Sequence, residues 1–351
     1  MRPMRRLIDV KLTYKKVLQS LPVALAAIAV VIYALSFLPR SAERMRRAVA
    51  LVERVSYYRV CADGKPVAWF RELGDSLRPV GLSPSADSTV VTVSHVTAAW
   101  VDKYPFIPSC PGLLLVANAD SMAHKRLSAA GGNVRPVLEN AIGAMERRLS
   151  LIGRKIEDID YYMRIHNVND DGYNVMAAYD VSVKAERDSL TKVVGALRSA
   201  LGKRRLTVEL VEKYTLLTAD TAGGVARTAC VWLTADKTSP FMLLQTVDKR
   251  KPDGASAVYL HQWLTPVADA GDSVVVASYP GCALYGFSPA GAKAQTFKGA
   301  AAGKARHALP PLLAPDGSLV FSSGGQLEGV SVDGRIVRPS SFGFGLKRLL
   351  P

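Results

Sequence analysis

The sequence predicts a mainly β protein whose β portions are interrupted by an antiparallel helical hairpin and preceded by one transmembrane helix. Three observations predict this. Short apolar runs separated by Gly, Pro, Ser and Asp clusters recur on both sides of the middle of the chain, as in barrels and sandwiches. Between them, Leu138, Ile142, Met145, Leu149, Ile152, Ile156, Ile159 and Met163 alternate in steps of four and three, the seam of a long amphipathic helix. Near the N-terminus, residues 17–39 carry no charge.

Taken in order, residues 1–16 form a basic cytoplasmic tail and 17–39 a transmembrane signal anchor. The dense apolar part, Leu21 to Leu38, has 18 residues. At ~1.5 Å rise per residue it spans ~27 Å, enough to cross a bilayer core. It ends in "SFLPRSAER", which lacks the small-residue pattern of a cleavage site and so reads as an uncleaved anchor. Six Lys/Arg precede the span and five follow it, up to Arg54. That bias points the N-terminus inward and the rest outward. The expected place is the inner (cytoplasmic) membrane, single-pass, with the C-terminal domain periplasmic or otherwise extracytoplasmic.

Residues 40–56 are expected to form a juxtamembrane helix and 57–133 a first β-barrel portion, with strands in "YYRVCA", "KPVAWF", "STVVTVSHV" and "GLLLVANA". Residues 134–203 form the hairpin: Leu190, Val194, Leu197 and Leu201 give its second seam, and "HNVNDDGYN" the link. An apolar stripe of this kind must be covered by itself, by the β domain or by a second chain, so homo-oligomerisation through the hairpin is one expectation. His166, at the end of the seam, reads as structural. Residues 204–351 form the second β portion, and 290–305, rich in Ala, Gly and Lys, is expected to be a loop.

Charge narrows the function. The chain has a net charge of +15, of which residues 1–54, with eleven Lys/Arg and three Asp/Glu, contribute +8. The basic character belongs largely to the membrane flank, so nucleic-acid binding is not expected. Cys61, Cys110, Cys230 and Cys282 form no CxxC and are read either as buried thiols or as up to two disulfides. No HExxH, P-loop or ligand cluster calls for a metal or cofactor.

The stretch "FSSGGQL" (321–327) raises the question of a nucleophile. With its flanks, "SSGGQLEGVSVDGRIV" (322–337) resembles the "NSGGPLxxxxGxVxGI" turn and hairpin of the trypsin-like (chymotrypsin-fold) serine peptidases, particularly bacterial membrane-anchored or periplasmic members. "AGDSVVVASYPG" (270–281) is similar to that family's "GDxVxxxGYP" strand, and "FMLLQ" (241–245) to its "DIALL" strand. The resemblance covers about residues 208–345, extends weakly to 57–120, and leaves out the span and the hairpin. It implies a trypsin-like double β-barrel. It also implies Ser323 as nucleophile, an imidazole that takes its proton, a carboxylate that holds the imidazole, and backbone N–H groups for the oxyanion.

The base has competing windows. "VVTVSHV" (90–96) resembles "VVTAAHC" and makes His95 the base; "GLLLVANAD" (112–120) resembles "GLILTNAH" and puts Asp120 there, with His124 a further candidate. The acid position of "DIALL" falls on Pro240, leaving Asp236 as the substitute. Gly324 and Gly325 suit an oxyanion turn, whereas Phe321 stands where the family has Gly. Two functions follow. One is an envelope serine endopeptidase using Ser323, His95 and Asp236, its catalysis weakened or lost through these departures. The other is a non-catalytic pseudoprotease that binds protein or peptide partners through the β domain or the hairpin.

Overall fold

The computed structural model describes residues 22, 26–28, 30–31, 39–73, 79–83, 86, 88–102, 112–117, 135–202, 206–219, 224–235, 240–259 and 268–338. Cys110, Asp120, His124, Asp236 and most of 17–39 lie outside them. Among the described residues no helix is long and apolar enough to cross a membrane; positions 22, 26–28 and 30–31 are helical, with Ile28, Val30 and Val31 exposed.

The chain divides into two units. The first comprises Met1–Val52, His95–Asn118 and Thr215–Pro351 and holds the bodies of two closed barrels. One is built from β1 (Val49–Ala62), β5 (Thr92–Asp102), β6 (Leu113–Ala117), β7 (Leu206–Ala219), β8 (Val225–Ala235) and β9 (Phe241–Thr246). Its order is β5-β6-β9-β8-β7-β1, closed by β1 on β5; β1 and β7 each continue into the second unit. Sequence makes β6 and β9 central: "LLLVA" is buried throughout, as is most of "FMLLQT", the unbroken apolar run of a strand covered on both faces.

The second barrel uses β11 (Ser273–Ser278), β12 (Gln295–Gly303), β13 (Arg306–His307), β14 (Leu319–Ser322), β15 (Leu327–Val332) and β16 (Arg335–Val337). Its closed order is β11-β12-β13-β16-β15-β14. Counted along the chain, both barrels have strand order 1-2-3-6-5-4, so each position in one has a counterpart in the other. Strand period explains how β11 serves two layers. Val274 and Val276 point into the second barrel with Val320 and Ile336. Val275 and Ala277 face Leu115, Leu243, Phe321 and Leu327 in the principal core. Residues 295–303, expected in a loop, are strand instead, because β12 pairs with β11 along the whole of β11. Short β10 (Val258–Tyr259) runs parallel to β5.

The expected helix over 40–56 is confined to α1 (Ala42–Arg46), capped by the Ser41 hydroxyl, which accepts from Arg44 N–H. From Val49 the β-branched and aromatic residues of "VALVERVSYYRVCA" enter the sheet, and barrel pairing overrides the helix propensity of the Ala and Arg residues before them.

The second unit comprises Glu53–Ser94 and Ala119–Tyr214. It holds β2 (Lys65–Phe70), β3 (Glu72–Leu73), β4 (Pro79–Val80) and the hairpin, α2 (Arg135–Ile165) and α3 (Tyr173–Leu201). The predicted seam is buried within its own chain. Near its base, Leu138, Ile142, Val194 and Leu197 pack on Tyr58, Val60 and Phe70 of the β1–β2 ribbon. Farther out, Ile152, Ile156 and Ile159 close on Val183. His166 is structural, as expected: its Nδ1 lies 3.2 Å from Asp170 Oδ2, which also accepts from Asn167 N–H, in the link between the helices. That backbone hydrogen bond is the main reason the Asp170 carboxyl titrates below its ordinary range.

Candidate functional site

Ser323 sits in the β14–β15 hairpin turn. The turn closes by Ser322 N–H donating to Gln326 O (2.8 Å) and Gly325 N–H to Ser322 O (2.9 Å). Ser322 Oγ accepts from Gln326 N–H. Ser323 itself is exposed, and its N–H donates to Ser273 O, 3.1 Å away at the start of β11. Phe321 is wholly buried opposite Val275, which fixes it as a core side chain of β14.

The two glycines have different surroundings. A Cβ on Gly324 would meet only Ser322 Oγ, at 3.7 Å. Gly325 has φ +84, and a Cβ there would lie 2.5 Å from Arg40 O and 2.8 Å from Arg40 N. Only glycine fits this close approach. Arg40 N–H donates to Gly325 O over 3.0 Å, and Met45 of α1 is buried in the same core as Phe321 and Leu327. The turn therefore clasps the chain where it enters the fold.

His95 lies near the start of β5, 8% exposed, its ring 5.2 Å from that of Phe287. Two residues on, Thr97 Oγ1 accepts from Tyr279 N–H (3.2 Å), and Tyr279 follows the last residue of β11. Ser323 is thus fastened to one end of β11 and the His95 segment to the other. Six residues of extended chain, ~20 Å at ~3.3 Å each, separate Ser273 from Tyr279. Pro240 immediately precedes β9; Asp236, Asp120 and His124 lie outside the described residues.

Equal strand order in the barrels singles out another turn. Residues 118–205, with Asp120 and His124 at their start, connect the third and fourth strands of the first barrel. The corresponding connection in the second barrel is 308–318; Ser323 lies one connection later. The 314–318 end of that connection abuts the first barrel. A Cβ on Gly317 (φ +89) would fall 1.9 Å from Thr97 O and 3.8 Å from Ala117 N at the end of β6. The turn reads Ala-Pro-Asp-Gly-Ser and is tightly braced. Gly317 N–H donates to Ser331 O and Ser331 N–H to Ser318 O. The Ser318 hydroxyl, fully buried, donates to Pro315 O. The sequence reading passed over this turn because it lacks a Ser-Gly-Gly string. The available signal was Pro-Asp-Gly punctuation ahead of the apolar pair Leu319-Val320.

A serine–histidine contact does occur, in the interior. His307 Nε2 lies 2.7 Å from Ser331 Oγ. His307 is 6% exposed and Ser331 fully buried, so the pair braces the 317–318 backbone and is closed to a substrate. Burial lowers the His307 pKa. Cys61, Cys230 and Cys282 are free thiols. Burial pushes Cys230 up to about 11 and raises Cys61 and Cys282 as well, which favours the protonated thiol at neutral pH. Among the described residues no cluster of three or more His, Cys, Asp or Glu could hold a metal.

One concave region of the first unit is a trough in two adjoining parts, of about 350 and 480 Å³, which share Leu217, Thr218, Ala219, Tyr279 and Ala294. Leu51, Leu217 and Tyr279 also belong to the apolar cluster around Cys282. Small residues, Gly291, Ala292 and Ala294, form one wall; Arg46, Arg47 and Asp253 stand at the far end. Burial holds the Tyr279 phenol above its usual range. Chemically this is a largely apolar recess with Lys293 in the lining of one part and Arg46, Arg47 and Asp253 in that of the other.

No protein-family profile matches the chain, and no curated protein matches it. Among solved structures it is similar to Deg5, with 10% identity and a TM-score of 0.28 over 79% of this chain and 77% of that one. It is similar to the HtrA-type protease AlgW with decapeptide at 10% identity and a TM-score of 0.30, over 87% of this chain and 61% of that one. To the apo MamO protease domain from Magnetospirillum magneticum the identity is 13% and the TM-score 0.23, over 35% and 68%.

Proposed function

We propose that the chain is a non-catalytic polypeptide-binding protein on a peptidase-type double barrel, held at the membrane by residues 17–39 with the barrels outside the cytoplasm. One observation carries the loss of catalysis: Ser323 is fastened by its N–H to Ser273 at one end of β11, and Thr97, two residues after His95, to Tyr279 at the other. A hydroxyl needs its base within hydrogen-bond reach to act as a nucleophile. The glycine of the turn that is sterically required serves Arg40 instead of an oxyanion. The apolar trough, walled by small residues, suits a stretch of apolar polypeptide.

The test uses the full chain. A fluorophosphonate probe should fail to label it, and an apolar peptide library should yield binders that Ala292→Arg, which fills the trough, displaces. Labelling abolished by Ser323→Ala would return the protein to the serine endopeptidases. Alkaline phosphatase fused after residue 351 should be active; an inactive fusion overturns the orientation.

A further inference from the structure

We infer that the first unit is seated directly on anionic lipid by a basic collar around the point where the chain enters the fold; this rests on the membrane-anchor reading of residues 17–39. The uncharged stretch ends at Pro39, and the next residue is already fixed. Arg40 N–H donates to Gly325 O at 3.0 Å, and its guanidinium donates to Ser256 Oγ (3.0 Å) and Ala257 O (2.7 Å). Ser256 N–H donates to Arg47 O (2.9 Å), and Trp100 N–H to Ala48 O (2.9 Å). Met45 is 5% exposed in the principal core. No slack remains between the end of the apolar stretch and the barrels, so a span ending at Pro39 brings this face to within a residue or two of the headgroups.

The charge of the face fits that position. Residues 39–47 hold Arg40, Arg44, Arg46 and Arg47 against Glu43, and 249–254 hold Lys249, Arg250 and Lys251 against Asp253. The second segment is stitched to the first through Ser256 and lies alongside it at Gly254, where a Cβ would be 3.6 Å from the Arg47 guanidinium. Arg44, Arg46, Arg47, Lys249 and Arg250 are exposed, with Arg47 also paired to Glu43 and Lys251 to Asp102. A cluster of exposed cations beside a span attracts such acidic headgroups as the adjacent, extracytoplasmic leaflet carries, within a Debye length. The Ser-Gly-Gly turn lies in this collar, so its packing role and the seating of the unit are one device.

The test places a fluorescent non-natural amino acid at Gln326, in the exposed turn, or at Tyr285, beyond the opposite end of β11. The full chain goes into vesicles bearing a headgroup nitroxide quencher, made of phosphatidylcholine alone or with about 30 mol% phosphatidylserine. The label at 326 should be quenched at least about threefold more in the acidic vesicles, and high salt or the Arg44→Glu, Arg46→Glu pair should remove the difference. The label at 285 should respond to neither. Equal quenching at the two positions, or quenching at 326 indifferent to lipid charge, would overturn the seat while leaving the anchor intact. A chain that fails to float with vesicles after alkaline extraction would sink the anchor reading and the seat with it.

Discussion

The Arg40 backbone lies against Gly325 so closely that a methyl group on the glycine would sit 2.5 Å from Arg40 O. With φ +84 at Gly325, an alanine there meets both backbone strain and a collision with main chain that cannot rotate away. Gly325→Ala should therefore destabilise the protein by about 2–4 kcal/mol. Gly324→Ala, which meets only Ser322 Oγ at 3.7 Å, should cost under about 1 kcal/mol. Thermal melts of the two variants check this contrast. An oxyanion role would predict two variants with ordinary melts and altered chemistry.

Ser323→Ala should leave stability within about 0.5 kcal/mol of the parent, as for other exposed positions. The residue's one described hydrogen bond comes from its backbone N–H, which alanine keeps. Urea denaturation of the pair measures this directly, and a large loss would mean the hydroxyl holds something in the turn together.

The seam of the hairpin gives a larger effect. Ile152 is 1% exposed and packs with Ile156, Ile159 and Val183. Ile152→Asp puts an unpaired carboxylate into that cluster and should cost several kcal/mol, with Ile152→Val costing about 1 kcal/mol. Helical circular dichroism followed through denaturation distinguishes them. Equal stability of Ile152→Asp and parent would contradict the packing.

Glu328 supplies a pH dependence. It is 3% exposed on β15. Its pKa is pushed up to about 7 by burial first and by Asp272 next, with Arg338 opposing. A carboxyl whose folded pKa is raised binds its proton more tightly folded than unfolded. Stability from this group is therefore complete below its unfolded value, near 4.5, and falls as pH rises toward about 7, beyond which the loss is constant. Glu328→Gln should stabilise the protein by about 2 kcal/mol above pH 7 and leave it little changed near pH 4. Melting temperatures across that range test the sign. A variant less stable than the parent at pH 8 would show that the ionised carboxylate is well compensated in the fold.

How much of this was legible in the sequence differs by element. β6, β9 and β11 announce themselves as unbroken apolar runs, and the hairpin seam is a local period that needs no partner to be seen. Barrel closure and equal strand order depend on pairings such as β1 with β5, which no window of sequence contains. The helix expected over 40–56 stopped at Arg46 because the residues from Val49 answer to sheet neighbours far along the chain. Residues 321–327 show the limit most plainly. The same letters suit a nucleophile turn or a hairpin turn, and the reason for Gly325 is the backbone of Arg40. The turn that meets Thr97 of the first barrel, 314–318, has its Asp316 and Ser318 side chains bonded to nearby backbone and lacks a Ser-Gly-Gly string, so it was not singled out.

That turn provides the most stringent test of the two-barrel arrangement. Gly317 has φ +89, and a Cβ would lie 1.9 Å from Thr97 O and 3.0 Å from Thr97 C. Thr97 cannot recede, because its Oγ1 holds Tyr279 N–H at 3.2 Å and lies 3.5 Å from Cys282 Sγ. Nor can the turn, since Gly317 N–H and Ser318 O are both fixed to Ser331. Gly317→Ala must therefore break one of these attachments, and it should destabilise the protein more than Gly325→Ala, by at least about 4 kcal/mol. Exposure of the turn can be followed by amide exchange at Ser331 and Tyr279, both of which should lose protection in the variant. If Gly317→Ala melts with the parent and Tyr279 keeps its protection, the 314–318 turn does not pack on Thr97.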